Sequence, residues 1–450
     1  MTQKIKQEFI LDNDPYYKMS KIDTDNYETE FWDVSETIKE LSYLTHSYFR
    51  YYGKFPSKIG KLILDDLISR EKIDNKKDFI LDNYAGSGTT LVEAKLKNYD
   101  SFGIDINPFA VLACKVKTAN YDVSLLKDYW SELYNEISLY NSILLSNENT
   151  LLSFTEPNKN DYNEILSEIE KFKTTNKDGT KWFLPKAITG LSIIKHLLLK
   201  RPKTCERDFF SLAFFAIIRR VSTAFDGEVR PHVNKNKKQR NVAEAYEKKV
   251  LEMIDIMNDW NNITQKDVIS DTILCNNATS DDVDNYINDL KNKTGKELGL
   301  VVSHPPYLNC FDYIPVFKLK FMWANGFDDI FYGYTYKDIK SMEIKSYPAN
   351  STESIERYFE HNKQVYENVY NNLKSGGYCC VVIGDCTLQK KLFAVHKTFV
   401  SMLEEIGFIT EKIAYRSTSY GIGQYAYKHR ADYSEYKDRK QDGVLFFRKP

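Results

Sequence analysis

The stretch that decides the fold of this 450-residue chain is Phe79-Ile-Leu-Asp82-Asn-Tyr-Ala-Gly86-Ser-Gly88-Thr-Thr90-Leu-Val-Glu93-Ala94. An apolar run ends in an acid, a turn with two glycines follows, and a helical pattern begins, which predicts strand, tight loop and helix. The two glycines carry no Cβ and let the backbone approach a ligand, and the first amides of the following helix point toward it. A second strand, Ser101–Asp105, also ends in a carboxylate, the arrangement that places an acid against ribose hydroxyls in doubly wound folds.

Three kinds of nucleotide-binding loop compete for this stretch. A phosphate-binding loop needs a lysine after its last glycine, and none follows Gly88. A dinucleotide loop needs a third glycine, near the place where Leu91 or Val92 stands. The whole string resembles the S-adenosylmethionine motif of the amino-methylating DNA methyltransferases, D-P-F-x-G-S-G-T-T-x-x-E-A, with Asn83 and Tyr84 in place of Pro and Phe.

This resemblance implies an α/β fold, a seven-stranded Rossmann-like methyltransferase sheet that binds S-adenosyl-L-methionine. The residues that it places at the cofactor are Asp82, Ala85, Gly86, Ser87, Gly88, Thr89, Thr90, Asp105 and Ile106. Three further candidates come from other segments of the family pattern. Lys54 and Phe55, in a Lys-Phe-Pro segment, would lie against the methionine end, unless this is only an aromatic turn that packs under the sheet. Asn277, near the end of a later strand, would reach the adenine ring.

The second informative stretch is Ser303-His304-Pro305-Pro306-Tyr307, at the end of an apolar strand. Two prolines fix a rigid turn after the strand. Ligands of open α/β sheets bind at the carboxyl edge of the strands, so the glycine loop and this turn should face one crevice. The turn resembles the [DNST]-P-P-[YFW] catalytic motif of methyltransferases that act on exocyclic amino groups.

The residue types suit methylation of a base amine. Such a nitrogen is conjugated with its ring, and hydrogen-bond acceptors at the head of the motif make it a better nucleophile. Tyr307 would stack on the base after it is flipped from the duplex. No cysteine nucleophile is needed, which separates this reaction from C5-cytosine methylation.

One departure from the motif leaves its chemistry open. The residue before the first proline is normally Asp, Asn or Ser, and here it is His304, with Ser303 one step earlier. Either His304 accepts the amine hydrogen bond through a neutral ring nitrogen, or Ser303 does so. A serine head favours N4-cytosine and Asp or Asn favours N6-adenine, so the prediction leans to N4-cytosine with N6-adenine as the alternative. A degenerate, inactive copy of the motif is a third interpretation.

The chain divides into four predicted parts: an N-terminal arm (1–40), a cofactor-binding half (41–120), a helical insertion (121–265) and a catalytic half (266–450). Apolar residues recur at helical spacing through the insertion. A buried helix there leads into a basic loop, residues 219–240, which makes the insertion the candidate target-recognition region. The predicted DNA-binding residues are Arg219, Arg220, Arg230, Lys235, Lys237, Lys238 and Arg240 in this loop, with Arg416, Lys428 and Arg430 near the C-terminus. A solvated surface is the alternative interpretation of such a cluster.

Composition sets wider limits. The formal net charge is -1, so a nucleic-acid partner must be held by a local basic surface. The seven cysteines show no C-x-x-C pair and no zinc-ligand spacing, which favours reduced thiols and no metal. The N-terminus lacks the apolar core of a signal peptide and no run is long enough to cross a membrane, so a cytoplasmic protein is expected.

The predicted function is a site-specific DNA methyltransferase. Double-stranded DNA is the expected substrate, and a cognate restriction endonuclease or defence-system subunits are the partners that the family suggests. An RNA or protein amide methyltransferase, a non-catalytic DNA-binding subunit and an NAD enzyme are the competing hypotheses.

Overall fold

The computed structural model describes residues 9–145, 158–176, 178–274, 281–416 and 441–450. Its strands are β1 (Glu28–Trp32), β2 (Asp78–Asp82), β3 (Ser101–Asp105), β4 (Ser270–Leu274), β5 (Glu297–Ser303), β6 (Tyr378–Gly384), β7 (Cys386–Leu388), β8 (Lys391–Phe393), β9 (Ile409–Arg416) and β10 (Asp442–Arg448). Its helices are α1 (Pro15–Met19), α2 (Ser57–Ser69), α3 (Thr89–Leu96), α4 (Pro108–Thr118), α5 (Val123–Leu145), α6 (Lys159–Thr175), α7 (Gly179–Trp182), α8 (Pro185–Lys200), α9 (Cys205–Ile217), α10 (Val242–Ile263), α11 (Asp281–Thr294), α12 (Lys318–Phe321), α13 (Asp328–Phe331), α14 (Tyr336–Met342), α15 (Thr352–Asn372) and α16 (Val395–Ile406).

One mostly parallel sheet forms the centre of the molecule. Among the described residues it has eight strands in the order β1-β9-β10-β6-β5-β2-β3-β4. β10 runs antiparallel to both of its neighbours, and the other pairs are parallel. The Rossmann-like methyltransferase sheet predicted from the sequence is confirmed, with β1 added at its edge.

The central strands bring the two motifs to the same edge of the sheet. β2 pairs with β3 on one side and with β5 on the other, and all three are parallel. Every residue of β2 is buried, as expected for a parallel strand covered on both faces. The chain leaves β2 toward β3 and later returns to β5 on the opposite side, so a topological switch point lies at the carboxyl end of β2.

The N-terminal arm contributes the edge strand that the sequence did not reveal. β1 has mainly exposed side chains and lacks a buried apolar period. Its partner β9 lies almost 400 residues later in the chain, with Glu28 opposite Lys412. The buried ammonium of Lys412 pairs with Glu30 at 2.8 Å and with Asp66 of α2 at 2.5 Å. These contacts attach the arm to the body of the protein.

The predicted helical insertion consists of α5 to α10, and it shares a hydrophobic core with α4, the helix that follows β3. Phe109 of α4 packs against Phe215 of α9 and against Phe317 and Phe331, with ring centroids 4.9–5.8 Å apart. The same buried cluster continues to Trp260 of α10. The division into four parts remains a prediction, but α4 and the insertion bury their apolar faces together.

Candidate active site

One cavity at the carboxyl edge of the sheet connects the glycine loop with the proline turn. Its wall includes Gly86 and Ser87 from the first and His304 and Pro306 from the second. Its empty volume is about 960 Å³, counting the space at its open mouth. The other lining residues are Tyr51, Gly53, Lys54, Phe55, Asn83, Tyr84, Ala85, Thr89, Ile104, Asp105, Ile106, Asn107, Tyr313, Ile314, Met342, Glu343, Ile344 and Val365.

The two glycines of the loop have different roles. Both have positive φ, +51° at Gly86 and +74° at Gly88, which favours glycine. Gly86 lines the cavity and its amide donates to Asp105 Oδ2 at 2.7 Å. A Cβ at Gly88 would lie 3.1 Å from Cys114 Sγ of α4, so this glycine permits close packing of the loop on the helix. Gly88 is not among the residues that line the cavity, and its predicted contact with the cofactor stays a prediction.

Two other predicted cofactor contacts also lie beneath the cavity surface. Asp82 is buried, and its Oδ1 accepts the amide of Tyr84 at 3.1 Å, while Thr90 is fully buried in the first turn of α3. Both residues support the loop from below. Burial raises the pKa of Asp82 to about 6.

Asp105 faces the cavity and already holds the backbone around it. Its second oxygen, Oδ1, accepts the amide of Asn107 at 2.8 Å. Burial is the main reason that its pKa is raised to about 7. Each carboxylate oxygen has a second lone pair, so Asp105 can still accept hydrogen bonds from hydroxyl groups of a ligand.

Several buried polar atoms at the cavity have no hydrogen-bond partner among the described residues. They are both side-chain polar atoms of Asn83, Oγ of Ser87 and Oγ1 of Thr89. Buried polar groups without a partner are costly and need an explanation. A polar ligand with donors and acceptors, such as a nucleoside, would satisfy them.

Lys54 and Phe55 also line the cavity. Burial alone lowers the pKa of Lys54 to about 8, and no carboxylate of the described residues pairs with its ammonium. The preceding Gly53 has φ +84°, and a side chain there would overlap the Tyr313 ring. The lysine is thus available to an anionic group of a ligand.

The two polar residues of the proline turn, Ser303 and His304, have different environments. Ser303 is fully buried, and its hydroxyl is 2.8 Å from the Tyr366 hydroxyl of α15. His304 lines the cavity between two aromatic rings, those of Phe55 and Tyr307, each with its centroid 5.2 Å away in an edge-on arrangement. Of the two alternative acceptors, His304 is the one at the cavity.

The three remaining positions of the motif support the turn. Pro305 is buried, and the carbonyl of Pro306 accepts the Tyr358 hydroxyl at 2.7 Å. Tyr307 is 4% exposed and lies behind His304 instead of lining the cavity. Its hydroxyl accepts Nη2 of Arg416 at 3.3 Å. Arg416 is itself buried and ion-paired with Asp442, which argues against its predicted role as a DNA-backbone contact; that role stays a prediction.

The basic loop contains both structural and exposed cations. Arg219 is buried and donates to the carbonyls of Phe225 and Val229 at 2.8 Å. The ammonium of Lys237 lies 2.7–2.9 Å from the Arg219 carbonyl, the Ala224 carbonyl and Asp226 Oδ1. The donors of these two residues hold the loop together, which argues against the predicted contact with DNA, and that contact stays a prediction. The exposed residues are Arg220, Arg230, Lys235, Lys238 and Arg240.

Arg230 brings the basic loop next to the segment after the proline turn. Its guanidinium lies 3.8 Å from Asp312 Oδ2 and 5.4 Å from the centroid of the exposed Tyr347 ring. Tyr313 and Ile314, which follow Asp312, line the cavity. Arg230, one of the exposed cations of the loop, is therefore close to the cavity.

Sequence reasoning missed one charged residue of the cavity. Glu343, at the end of α14, accepts the amides of Tyr313 and Ile314, and burial raises its pKa to about 7. No motif marks this glutamate, because only the tertiary fold brings it to the proline turn. Tyr51 and Asn107 were within reach of the sequence, since Asn107 follows Ile106 directly and Tyr51 lies three residues before Lys54.

Three predicted residues, Asn277, Lys428 and Arg430, lie outside the described residues. No helix of the described ranges combines the length and the apolar character that crossing a membrane requires.

The sheet order, the glycine loop and the shared cavity define a Rossmann-like fold of methyltransferase type. Comparison with known proteins agrees: residues 3–116 match a family model described as DNA methylase. The type II methyltransferase M.MjaII of Methanocaldococcus jannaschii is 32% identical over 120 residues, 26% of this chain and 22% of the relative. The type II methyltransferase M.MvaI of Kocuria varians is 27% identical over 225 residues, which are 50% of this chain and 44% of the relative. The type II methyltransferase M.BsoBI of Geobacillus stearothermophilus is 30% identical over 159 residues, which are 30% of this chain and 30% of the relative.

This chain is thus similar to DNA amino-methyltransferases, as the motifs predict. It spans less than half the length of each of these curated relatives.

Proposed function

We propose that the protein is a DNA methyltransferase that transfers a methyl group from S-adenosyl-L-methionine to the exocyclic amino group of a base. The observation that carries the proposal is that one cavity is lined both by the glycine loop and by His304 and Pro306. It lies at a topological switch point, where ligands of open α/β sheets bind.

The lining residues suit the proposed cofactor. Asp105 offers carboxylate oxygens to ribose hydroxyls, and the unpaired polar atoms of Asn83, Ser87 and Thr89 offer donors and acceptors. Lys54 offers a cation to a carboxylate at the methionine end. Bound S-adenosylmethionine would supply a methyl group on a sulfonium centre, whose sulfur would leave as the neutral thioether of S-adenosylhomocysteine while the methylated amine loses one proton to solvent.

The proline turn would prepare the target amine. His304, as a neutral imidazole, accepts a hydrogen bond from the exocyclic amine and draws the nitrogen lone pair out of conjugation. Tyr307, beside His304, stacks on the flipped base. Because only 4% of Tyr307 is exposed, base capture requires movement of the groups around its ring. Alignment of the amine with the methyl group supplies most of the rate.

The substrate proposal is duplex DNA, held by the exposed cations of the basic loop. Arg220, Arg230, Lys235, Lys238 and Arg240 are free of the internal carbonyl contacts that occupy Arg219 and Lys237. Phosphate contacts by such residues supply sequence-independent affinity. The choice between N4-cytosine and N6-adenine leans to N4-cytosine, and a histidine at the head of the motif fits either base.

A methyl-transfer assay tests this function. The protein is incubated with radiolabelled S-adenosylmethionine and, in parallel, with duplex DNA, transfer RNA or a protein lysate. We expect label in DNA, and nuclease digestion followed by mass spectrometry identifies the methylated base. Label only in RNA or protein, or cofactor binding with no transfer to DNA of any sequence, would contradict the proposal.

A further inference from the structure

A row of three residues crosses the carboxyl edge of the sheet beside Tyr307. Arg416 of β9 is directly opposite Asp442 of β10, and Asp442 is opposite Gly384 of β6. Since β9, β10 and β6 are adjacent, the three positions form one line. It ends beside β5, the strand that leads into the proline turn.

The two charged members of the row hold each other and the phenol. Arg416 Nη2 lies 3.0 Å from Asp442 Oδ2, and both side chains are less than a tenth exposed. The same nitrogen donates to the Tyr307 hydroxyl at 3.3 Å. Buried charges are tolerated when they are paired, so Asp442 fixes the guanidinium, and the guanidinium in turn fixes the end of the Tyr307 ring.

Gly384 supplies the space that this arrangement needs. Its φ is not in the left-handed region, so backbone conformation does not require glycine there. A Cβ at this position would lie 2.6 Å from Tyr307 Cε2 and would overlap the Asp442 carboxylate. The row therefore consists of an ion pair and a residue without a side chain, and the Tyr307 ring fills the space that a side chain at Gly384 would take.

We propose that the Arg416–Asp442 ion pair positions Tyr307, by fixing its hydroxyl end so that the ring stays beside His304 to receive the target base. Arg416 is a positioning residue, since it acts through Tyr307. The inference rests on the proposed function and extends it, because it replaces the predicted phosphate contact of Arg416 with a role behind the base-binding ring.

The first test compares Arg416→Gln with a matched control on the same two strands. Arg448→Gln breaks the pair between Arg448 Nε and Glu411 Oε1, 2.6 Å apart at the other end of β9 and β10. We expect Arg416→Gln to lower kcat about tenfold, because a displaced reacting group costs rate, with unchanged affinity for S-adenosylmethionine. Fluorescence of 2-aminopurine at the target position should show less base flipping. Arg416→Lys, which can still donate to the phenol, should recover part of the loss, and Arg448→Gln should behave as wild type.

Equal losses in Arg416→Gln and Arg448→Gln would overturn the inference, because the effect would then come from weakening the sheet. Reduced cofactor affinity in Arg416→Gln would overturn it as well.

A second measurement is independent of methyl transfer. In protein with ¹³C-labelled tyrosine, the Tyr307 ring signal is assigned by its loss in Tyr307→Phe. It should shift in Arg416→Gln and in Gly384→Ala and stay in place in Arg448→Gln. An unmoved Tyr307 signal in Arg416→Gln overturns the positioning role, whether or not the protein methylates DNA. Absence of methyl transfer by the wild type overturns only the proposed function.

Discussion

Ser303 and His304 are neighbours in sequence but have different surroundings, and this decides which of them can serve as the acceptor. The Ser303 hydroxyl is used by Tyr366 in the interior, whereas the His304 ring borders the cavity. Successive residues at the end of a strand point to opposite sides, so only one of the two can face a ligand. The motif alone is compatible with either residue as the acceptor. Which side chain faces the cavity depends on the register of β5 with its neighbouring strands.

His304→Ala is expected to lower kcat about 10²- to 10³-fold, because it removes an acceptor that acts on the reacting amine. His304→Asn, which restores an acceptor found in the family motif, should recover much of the activity. Single-turnover methylation of duplex DNA measures both. Ser303→Ala is the control: it should cost about 1–3 kcal/mol of unfolding free energy through the unpaired Tyr366 hydroxyl and leave the rate nearly unchanged. A larger rate loss in Ser303→Ala than in His304→Ala would reverse the assignment.

Cofactor affinity should depend on pH through Asp105 and Lys54. The Asp105 carboxylate forms as the pH rises through about 7, so affinity for a ligand with ribose hydroxyls should rise there. Lys54 loses its proton through about 8, so affinity for a carboxylate should then fall. Isothermal titration of S-adenosylmethionine against pH should give a maximum between these values. Asp105→Asn should remove the acid limb and Lys54→Met the alkaline limb; unchanged profiles would show that neither residue meets the cofactor.

The raised pKa of Asp105 also affects folding. Between its ordinary value of 3.8 and about 7 the folded protein binds more protons at this site than the unfolded chain. The contribution of Asp105 to the unfolding free energy therefore falls as the pH rises across that interval.

At the scale of elements, the basic loop shows why charge in a sequence does not by itself assign a surface. Arg219 and Lys237 look equivalent to their basic neighbours, yet their donors hold the backbone of the loop. The strand-loop-helix around Gly86 could be predicted because a local pattern defines it. β1, the Arg416–Asp442 pair and the place of Glu343 depend on partners far along the chain, and a single sequence does not reveal them.

The loop therefore predicts two kinds of mutational effect. Replacing Lys235, Lys238 and Arg240 together by alanine should weaken duplex binding and lower the salt dependence of log K by about one unit per lost phosphate contact, with normal folding. Arg219→Ala should instead lower the unfolding free energy by about 2 kcal/mol or more, because buried charged hydrogen bonds are lost. Fluorescence anisotropy across a salt series measures the DNA affinity of the triple variant, and chemical denaturation measures the stability of Arg219→Ala.

A control variant replaces Lys127, Lys171 and Lys173, which are exposed elsewhere in the helical region, and it should leave DNA affinity unchanged. An equal loss of affinity in this control would mean that overall charge is responsible.

At the scale of the whole molecule, the cavity and the helical insertion are coupled through α4. Asn107, just before α4, lines the cavity, while Phe109, two residues later, lies in the core shared with α9. Lys117, near the other end of α4, donates to the Ser87 carbonyl of the glycine loop at 2.7 Å. Binding energy gained at the loop should therefore stabilise the insertion too.

Tryptophan fluorescence can test this coupling, because four of the five tryptophans belong to the shared core: Trp130, Trp182, Trp260 and Trp323. The fifth tryptophan, Trp32, lies in a separate hydrophobic cluster, and the substitution Trp32→Phe removes its fluorescence. In that variant, S-adenosylmethionine at a hundredfold excess over its Kd should stabilise the folded state by about 2.7 kcal/mol and raise the midpoint of the tryptophan transition. Phe109→Ala, which leaves a cavity in the shared core at a cost of about 3–5 kcal/mol, should lower the same midpoint and weaken cofactor binding. If the ligand raises a transition seen by circular dichroism and leaves the tryptophan transition in place, the insertion unfolds by itself and α4 does not couple the two parts.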